Sequence, residues 1–182
     1  MIIIYRLLIN LVLFFSPLII IYRILINKED KKRFIEKFSF PSEQRRKGNL
    51  YWFHGASVGE LKSIIPLLIK FEKDKTVNQI LVTSNTLSSP KILKQYNLKK
   101  VVHQFFPIDS NFIMKRFINH WKPNKVFLID SEIWPNLIFF LNKIKIPLIL
   151  LNARITKKTF LRWSFLKKFS EQIFTTSVLQ PI

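Results

Sequence analysis

An α/β fold built on a parallel sheet, preceded by an apolar N-terminal helix, is what this sequence predicts. Three observations carry it. From Leu50 onward, short apolar runs alternate with helix-length amphipathic stretches, the pattern of βαβ units. Polar and small residues gather directly after the apolar runs, where strands hand over to helices. Ahead of Leu50 lie a nearly unbroken apolar segment, Leu7 to Ile21, and then a basic stretch. The expected division is a membrane anchor over 1–27, a basic juxtamembrane linker or helix over 28–49, and the α/β domain over 50–182.

The apolar segment is bracketed by Arg6 and Arg23, and the 16 residues between them would extend about 24 Å as a helix. The hydrocarbon core of a bilayer is about 30 Å thick. Snorkelling arginines and the outer apolar residues supply the difference. No small-x-small site follows, which argues against a cleaved signal peptide. Lys28, Lys31, Lys32, Arg33, Lys37, Arg45, Arg46 and Lys47 come next. A basic cluster beside an apolar segment favours the cytoplasmic side and attracts anionic headgroups.

Leu50 to Phe53 reads as the first strand, and Leu61 to Phe71 as its helix. Further strands are expected near Gln79 to Thr83, Val101 to Phe106, Lys125 to Ile129 and Ile146 to Leu151, with a possible sixth over Gln172 to Thr176. Pro90 reads as a first helical residue with Ser89 as its cap. Asp109 or Ser110 caps a helix running to about Trp121, and Lys157 to Phe169 reads as a basic, aromatic helix.

Composition narrows the chemistry. Thirty basic against 11 acidic residues give a net charge of +19, a field that favours anionic partners such as acidic lipid, phosphorylated substrates or nucleic acid. There are no cysteines, which excludes disulfides and thiolate metal sites. The histidines, His54, His103 and His120, have no ligand spacing, so no metal is expected. Hydrophobic residues make up 48% of the chain, enough for a sizeable core.

The polar strand ends are the candidate site. In a parallel sheet the loops after the strands share one edge, where ligands of open α/β sheets bind. That edge would collect His54 to Glu60, Thr83 to Thr86, Asp130 with Glu132, and Asn152 with Arg154. Carboxylates, an arginine, a histidine and hydroxyls together suit a hydroxylated or phosphorylated ligand. Two of the three glycines, Gly55 and Gly59, lie in the first loop. Ser57-Val58-Gly59-Glu60 also fits a capping box, with Ser57 capping the helix and Glu60 reaching back to the Ser57 amide. Capping and chemistry both remain open for Glu60 on spacing alone. Trp134 and Trp163 read as packing residues. Neither a dinucleotide fingerprint nor a phosphate loop is present.

Three stretches, in this order and spacing, resemble one family: Trp52-Phe53-His54-Gly55-Ala56-Ser57-Val58-Gly59-Glu60, Asp130-Ser131-Glu132-Ile133-Trp134-Pro135-Asn136-Leu137, and Leu151-Asn152-Ala153-Arg154. They are similar to the N-terminal half of bacterial 3-deoxy-D-manno-octulosonic acid (Kdo) transferases. The resemblance implies a Rossmann-like domain, the first of the two that make a GT-B glycosyltransferase. It implies transfer of Kdo from CMP-Kdo to the lipid A precursor in lipopolysaccharide biosynthesis, at the cytoplasmic face of the bacterial inner membrane. No cofactor, metal or nucleic acid is implied. By match to the family's motifs, Glu60 is the expected catalytic base and Glu132 a further active-site carboxylate. His54, Gly55, Ser57, Gly59, Thr83, Ser84, Asn152 and Arg154 are the expected acceptor-binding residues.

The resemblance further implies that the donor is held by a C-terminal domain beyond these residues, so that the 182-residue chain alone is expected to be inactive. The sequence departs from the family's pattern where Thr83 to Pro90 reads T-S-N-T-L-S-S-P, without the usual Thr-Gly step after a Pro, and where Asp130-Ser131 stands for Glu-Thr. Two other classes compete: a non-catalytic, membrane-tethered basic module for anionic lipid or nucleic acid, and another envelope GT-B enzyme. The paired acids Glu60 and Glu132 argue against a pure polyanion binder.

Overall fold

Five parallel strands, β1 (Leu50–His54), β2 (Gln79–Ser84), β3 (Val101–Phe105), β4 (Lys125–Ile129) and β5 (Leu148–Leu151), form one sheet in the order β3-β2-β1-β4-β5. The structure is a computed structural model that describes residues 2–130 and 134–152. The expected helix over Lys157 to Phe169, the sixth strand, Glu132 and Arg154 lie outside those residues.

Both faces of the sheet are covered, which is why its strands are apolar almost throughout rather than alternating with polar residues. Leu50 and Trp52 of β1 and Val126 and Leu128 of β4 point to one face. There they meet Met114, Phe117 and Trp121 of α4 (Asn111–Trp121) and Leu137 and Leu141 of α5 (Pro135–Lys143). Phe53, Phe127 and Ile129 point to the other face, against Leu61, Ile65 and Leu68 of α2 (Val58–Lys73) and Leu93 of α3 (Ser89–Lys94). The order of the strands reverses between β1 and β4. Chain leaving β1 runs to one side of the sheet and chain leaving β4 to the other, which opens a crevice at their carboxyl ends.

The structure corrects one sequence expectation about helix starts and decides between the two alternatives at another. Ser89 is the first residue of α3 rather than its cap. Ser88 holds the cap position without a side-chain bond, and the Ser89 hydroxyl pairs with that of Thr86 at 2.6 Å. Ser110, not Asp109, caps α4 by accepting the Ile113 N–H. Asp109 turns the other way, to α5.

The N-terminal helix α1 (Ile2–Leu25) continues through Pro17. The basic stretch after it lies along β3. A short 3₁₀ helix, Arg33–Phe38, brings the buried Glu36 carboxylate to the Phe105 N–H at 2.7 Å and to Arg33 Nε at 2.6 Å. The otherwise open sheet edge is thereby covered, a common device against edge-to-edge association. Arg33 Nη2 also donates to the His103 carbonyl at 2.7 Å and to His103 Nδ1 at 3.0 Å. Nε2 therefore carries the ring proton and faces Ser84 Oγ at 2.8 Å.

Burial, with Arg33 beside it, pushes the His103 pKa from its ordinary 6.5 down to about 3. The folded state holds this ring neutral where the unfolded chain would protonate it. Its contribution is whole above pH 6.5 and drains away as the pH falls towards 3. We expect a loss on the order of 3 kcal/mol between pH 6.5 and about pH 4 from this group. In urea unfolding at several pH values, His103→Gln flattens that part of the profile; superimposable profiles would refute the assignment.

Candidate active site at the strand carboxyl edge

The β1–α2 loop is held by its own residues. Ser57 has an extended backbone (φ −116°, ψ 163°), and its Oγ accepts the Glu60 N–H at 3.3 Å. The Glu60 carboxylate then accepts the Ala56 N–H at 2.8 Å and the Ser57 hydroxyl at 2.8 Å. The expected capping box is present with one change: the back-bond goes to the amide of Ala56, not to that of Ser57. With Ser57 extended, the Ala56 N–H is the one that faces the carboxylate. Each oxygen of Glu60 takes one donor and keeps further lone-pair capacity, since a carboxylate offers about four acceptor sites. The carboxylate is thus oriented without being saturated.

Gly55 allows this loop to close. A Cβ there would come within 3.2 Å of both Glu60 Cβ and Leu61 Cδ2. Gly59 is exposed, and a Cβ there would meet only Ser57 Oγ at 3.9 Å. Substitution at Gly55 therefore presses on the glutamate itself, and Gly55→Ala is expected to cost about 1–2 kcal/mol by overpacking. Thermal unfolding measures it; an unchanged midpoint would show that the loop yields freely.

His54 and Thr83 are fully buried and bonded to one another. Trp134 Nε1 donates to His54 Nε2 at 3.3 Å, so the His54 proton is on Nδ1, directed at the Thr83 carbonyl (3.2 Å) and hydroxyl (3.0 Å). Trp52 Nε1 donates to the same hydroxyl at 2.8 Å. The His54 ring stacks on Phe106 with centroids 3.8 Å apart. Ser84 is buried too, facing His103. These polar residues tie the carboxyl ends of β1 and β2 together beneath the surface, while Ala56, Ser57, Gly59 and Glu60 lie above them with solvent access.

The ends of β4 and β5 are joined as well. Asp130 and Asn152 both adopt left-handed backbones, at φ 56° and φ 53°, and Asn152 Nδ2 donates to Asp130 Oδ1 at 2.6 Å. Asp and Asn tolerate that region better than other side-chain-bearing residues, and such conformations concentrate at functional loops. The start of α5, at Pro135, is fixed by Asp109. Its carboxylate accepts the Asn136 and Leu137 N–H groups, each at 2.9 Å, and the Tyr5 hydroxyl at 2.8 Å. Burial pushes the Asp109 pKa up to about 6, against the pull of those donors and of the Arg6 charge.

The structure thus brings His54, Gly55, Ser57, Gly59, Glu60, Thr83 and Ser84 to one region around the carboxyl ends of β1 and β2, with Asn152 on the same sheet edge beyond β4. Asp109, Asn136 and the bond from Trp134 to His54 escape sequence reading. Each depends on a contact between residues dozens of positions apart, and no local pattern marks it. Among the described residues, no cluster of His, Asp and Glu is arranged to hold a metal. A groove of about 560 Å³ also exists along β3, lined by Arg33, Arg46, Lys94 and His103 among others. It is removed from the β1–β4 crevice and includes neither Glu60 nor Asp130.

A parallel sheet in this order, with a strand-order reversal between β1 and β4, defines a Rossmann-like α/β domain. The sequence model of the 3-deoxy-D-manno-octulosonic-acid transferase (kdotransferase) family matches residues 32–179, and the chain belongs to that family. It is 41% identical over 152 residues to a probable mitochondrial 3-deoxy-D-manno-octulosonic acid transferase of Arabidopsis thaliana, covering 82% of this chain and 34% of that protein. It is 39% identical over 155 residues to the 3-deoxy-D-manno-octulosonic acid transferase of Rickettsia bellii, covering 85% and 37%. The enzyme of the same name from Haemophilus influenzae is 32% identical over 116 residues, 64% of this chain and 27% of that protein. The chain spans about a third of the length of the first two relatives.

Proposed function

We propose that this chain is the acceptor-binding half of a membrane-bound enzyme that transfers Kdo from CMP-Kdo to the lipid A precursor, with Glu60 as the base. The observation that carries this reading is the Glu60 carboxylate, held by Ala56 N–H and the Ser57 hydroxyl at the edge where the strand order reverses. In the reaction an acceptor hydroxyl forms a bond to the anomeric carbon of Kdo. The bond from that carbon to the CMP phosphate oxygen breaks, and CMP leaves with the electron pair. The hydroxyl proton passes to Glu60, which must be ionised to take it. By its place in the Asp130 to Leu137 motif, Glu132 is assigned as a second carboxylate for orienting the acceptor. Gly55, Ser57, Gly59 and Asn152 line the acceptor's approach, while His54, Thr83 and Ser84 support it from below, and Arg154 is assigned to acceptor binding by its motif alone.

The donor nucleotide is assigned to a second domain, because this chain carries no phosphate loop or dinucleotide fingerprint and spans about a third of its relatives. The basic surface, at a net charge of +19, serves both the acceptor phosphates and anionic lipid. The helix α1 is long and apolar enough to engage a membrane, and the cytoplasmic face of the inner membrane is the side on which the basic stretch after it is retained.

Calorimetry on the 182-residue polypeptide tests this division of labour. A phosphorylated lipid A precursor is expected to bind, CMP-Kdo is expected not to, and no sugar is expected to be transferred. Supplying the C-terminal domain of a relative in trans restores some transfer. Binding of duplex DNA or generic anionic vesicles as tightly as the lipid A precursor would favour the non-catalytic module instead.

A further inference from the structure

Resting on the membrane reading above, we propose that α1 does not cross the bilayer. It lies in the plane of a single anionic leaflet, clamped along one face to the α/β domain. By composition it passes for a spanning helix: 24 residues with a mean hydropathy of 2.2 in its most apolar window. Its surroundings differ from those of a spanning helix. Ser16 and Ile20 are buried, and Tyr5, Ile9, Leu13 and Arg23 are half-buried. They recur at intervals of three and four, so they form one stripe along the whole helix. The opposite stripe, with Leu7, Phe14, Leu18 and Leu25, is exposed.

Polar contacts fasten both ends. Near the start, Tyr5 donates to Asp109 at 2.8 Å. Arg6 Nε donates to Asn136 Oδ1 at 2.9 Å, and its guanidinium lies over the Phe139 ring at 4.8 Å. Near the end, Arg23 pairs with the buried Glu29 at 3.1 Å. Glu29 also pairs with Lys37, whose carbonyl accepts the Ile108 N–H at 2.9 Å. From Tyr5 to Arg23 the helix rises about 27 Å, close to the full thickness of the hydrocarbon core. A spanning α1 that kept these contacts would carry Asp109, Asn136 and Glu29 across that core, together with the charged domain surface around them. Only an orientation parallel to the surface keeps both the contacts and the hydration of the domain.

The outward face supplies the partner's chemistry. Leu7 (66%), Phe14 (77%), Leu18 (67%) and Leu25 (74%) are exposed, and Phe112 (70%) of α4 extends the apolar surface of the domain. Exposed Lys28, Lys31 and Lys32 follow the helix, as anionic headgroups beside a submerged apolar face require. An interfacial helix ordinarily carries its own polar face. Here the domain replaces it, which explains why the helix is apolar all round. A consequence follows for the site. The clasp at Tyr5 and Arg6 joins α1 to Asp109 and to Asn136 at the start of α5. The membrane helix therefore holds the catalytic edge at headgroup level.

The absence of cysteine makes the test clean. Single cysteines at Leu7, Phe14, Leu18 and Leu25, all pointing away from the domain, accept nitroxide labels. Their depth is read by power saturation with oxygen and a water-soluble nickel chelate, on the full chain bound to phosphatidylethanolamine–phosphatidylglycerol vesicles. The expected profile is flat, all four labels lying about 5–10 Å below the headgroups. A profile in which Phe14 is far the deepest and the ends return to opposite surfaces would overturn the in-plane assignment while leaving membrane binding intact. Failure to bind the vesicles at all would overturn the membrane reading, and this inference with it.

Discussion

Replacing Glu60 by glutamine in the complete two-domain enzyme lowers Kdo transfer by about 10²–10⁴-fold, the range for loss of a general base. Glutamine is nearly isosteric and keeps an amide oxygen to accept the Ala56 N–H, so the cap survives. Acceptor affinity and thermal stability then stay near wild type, and kcat and kcat/KM fall together, the signature of an interaction made only in the transition state. Glu60→Ala separates the two roles further. It loses the bonds to Ala56 and Ser57 and costs about 1 kcal/mol of stability in addition to the rate. Turnover of Glu60→Gln within a few-fold of wild type would return Glu60 to the purely structural role that the S-x-x-E pattern allows.

The largest expected effect on stability belongs to Asp109. Asp109→Ala strands three donors, the Asn136 and Leu137 N–H groups and the Tyr5 hydroxyl. The expected loss is about 3 kcal/mol in urea unfolding near neutral pH. Its pH dependence has a definite sign. Burial raises the folded-state pKa of Asp109 to about 6 from an ordinary 3.8. The folded state therefore binds the proton more tightly than the unfolded chain between those values. The stability that Asp109 contributes is greatest below pH 3.8 and falls as the pH rises through 6. The gap between wild type and Asp109→Ala accordingly widens on acidification from pH 7 to about pH 4, by on the order of 2–3 kcal/mol. A gap that narrows over that range would show that the donors, not burial, govern this carboxyl. His103 acts in the opposite sense over an overlapping window, so each group is measured by difference from its own variant.

These two residues also show what a sequence can and cannot disclose. Glu60 was legible because its partners, Ala56 and Ser57, lie within four positions and share one local geometry. The strands were legible because burial on both faces leaves them apolar and turn chemistry bounds them, and the observed β1 to β5 fall within a few residues of expectation. Asp109 and Ser110 read as alternative caps for α4 because sequence proximity offers both to the adjacent helix. The fold instead places the N-terminus of α5 against Asp109, 27 positions away. The basic stretch over 28–49 reads as a linker since nothing local announces that Glu36 closes the β3 edge. The disposition of α1 was hidden for a related reason. A helix apolar on every side carries no periodic signal to show which stripe a domain will cover.

The claim on which the account depends is that the acceptor is received in the β1–β4 crevice. A phosphorylated lipid A precursor carrying a photoreactive group near its acceptor hydroxyl, cross-linked to the membrane-bound chain and mapped by mass spectrometry, tests it most directly. The account predicts adducts within residues 55–60 and on the loops after β4 and β5, competed away by unmodified precursor. Adducts concentrated instead around Arg33, Arg46 and Lys94 in the β3 groove would contradict it.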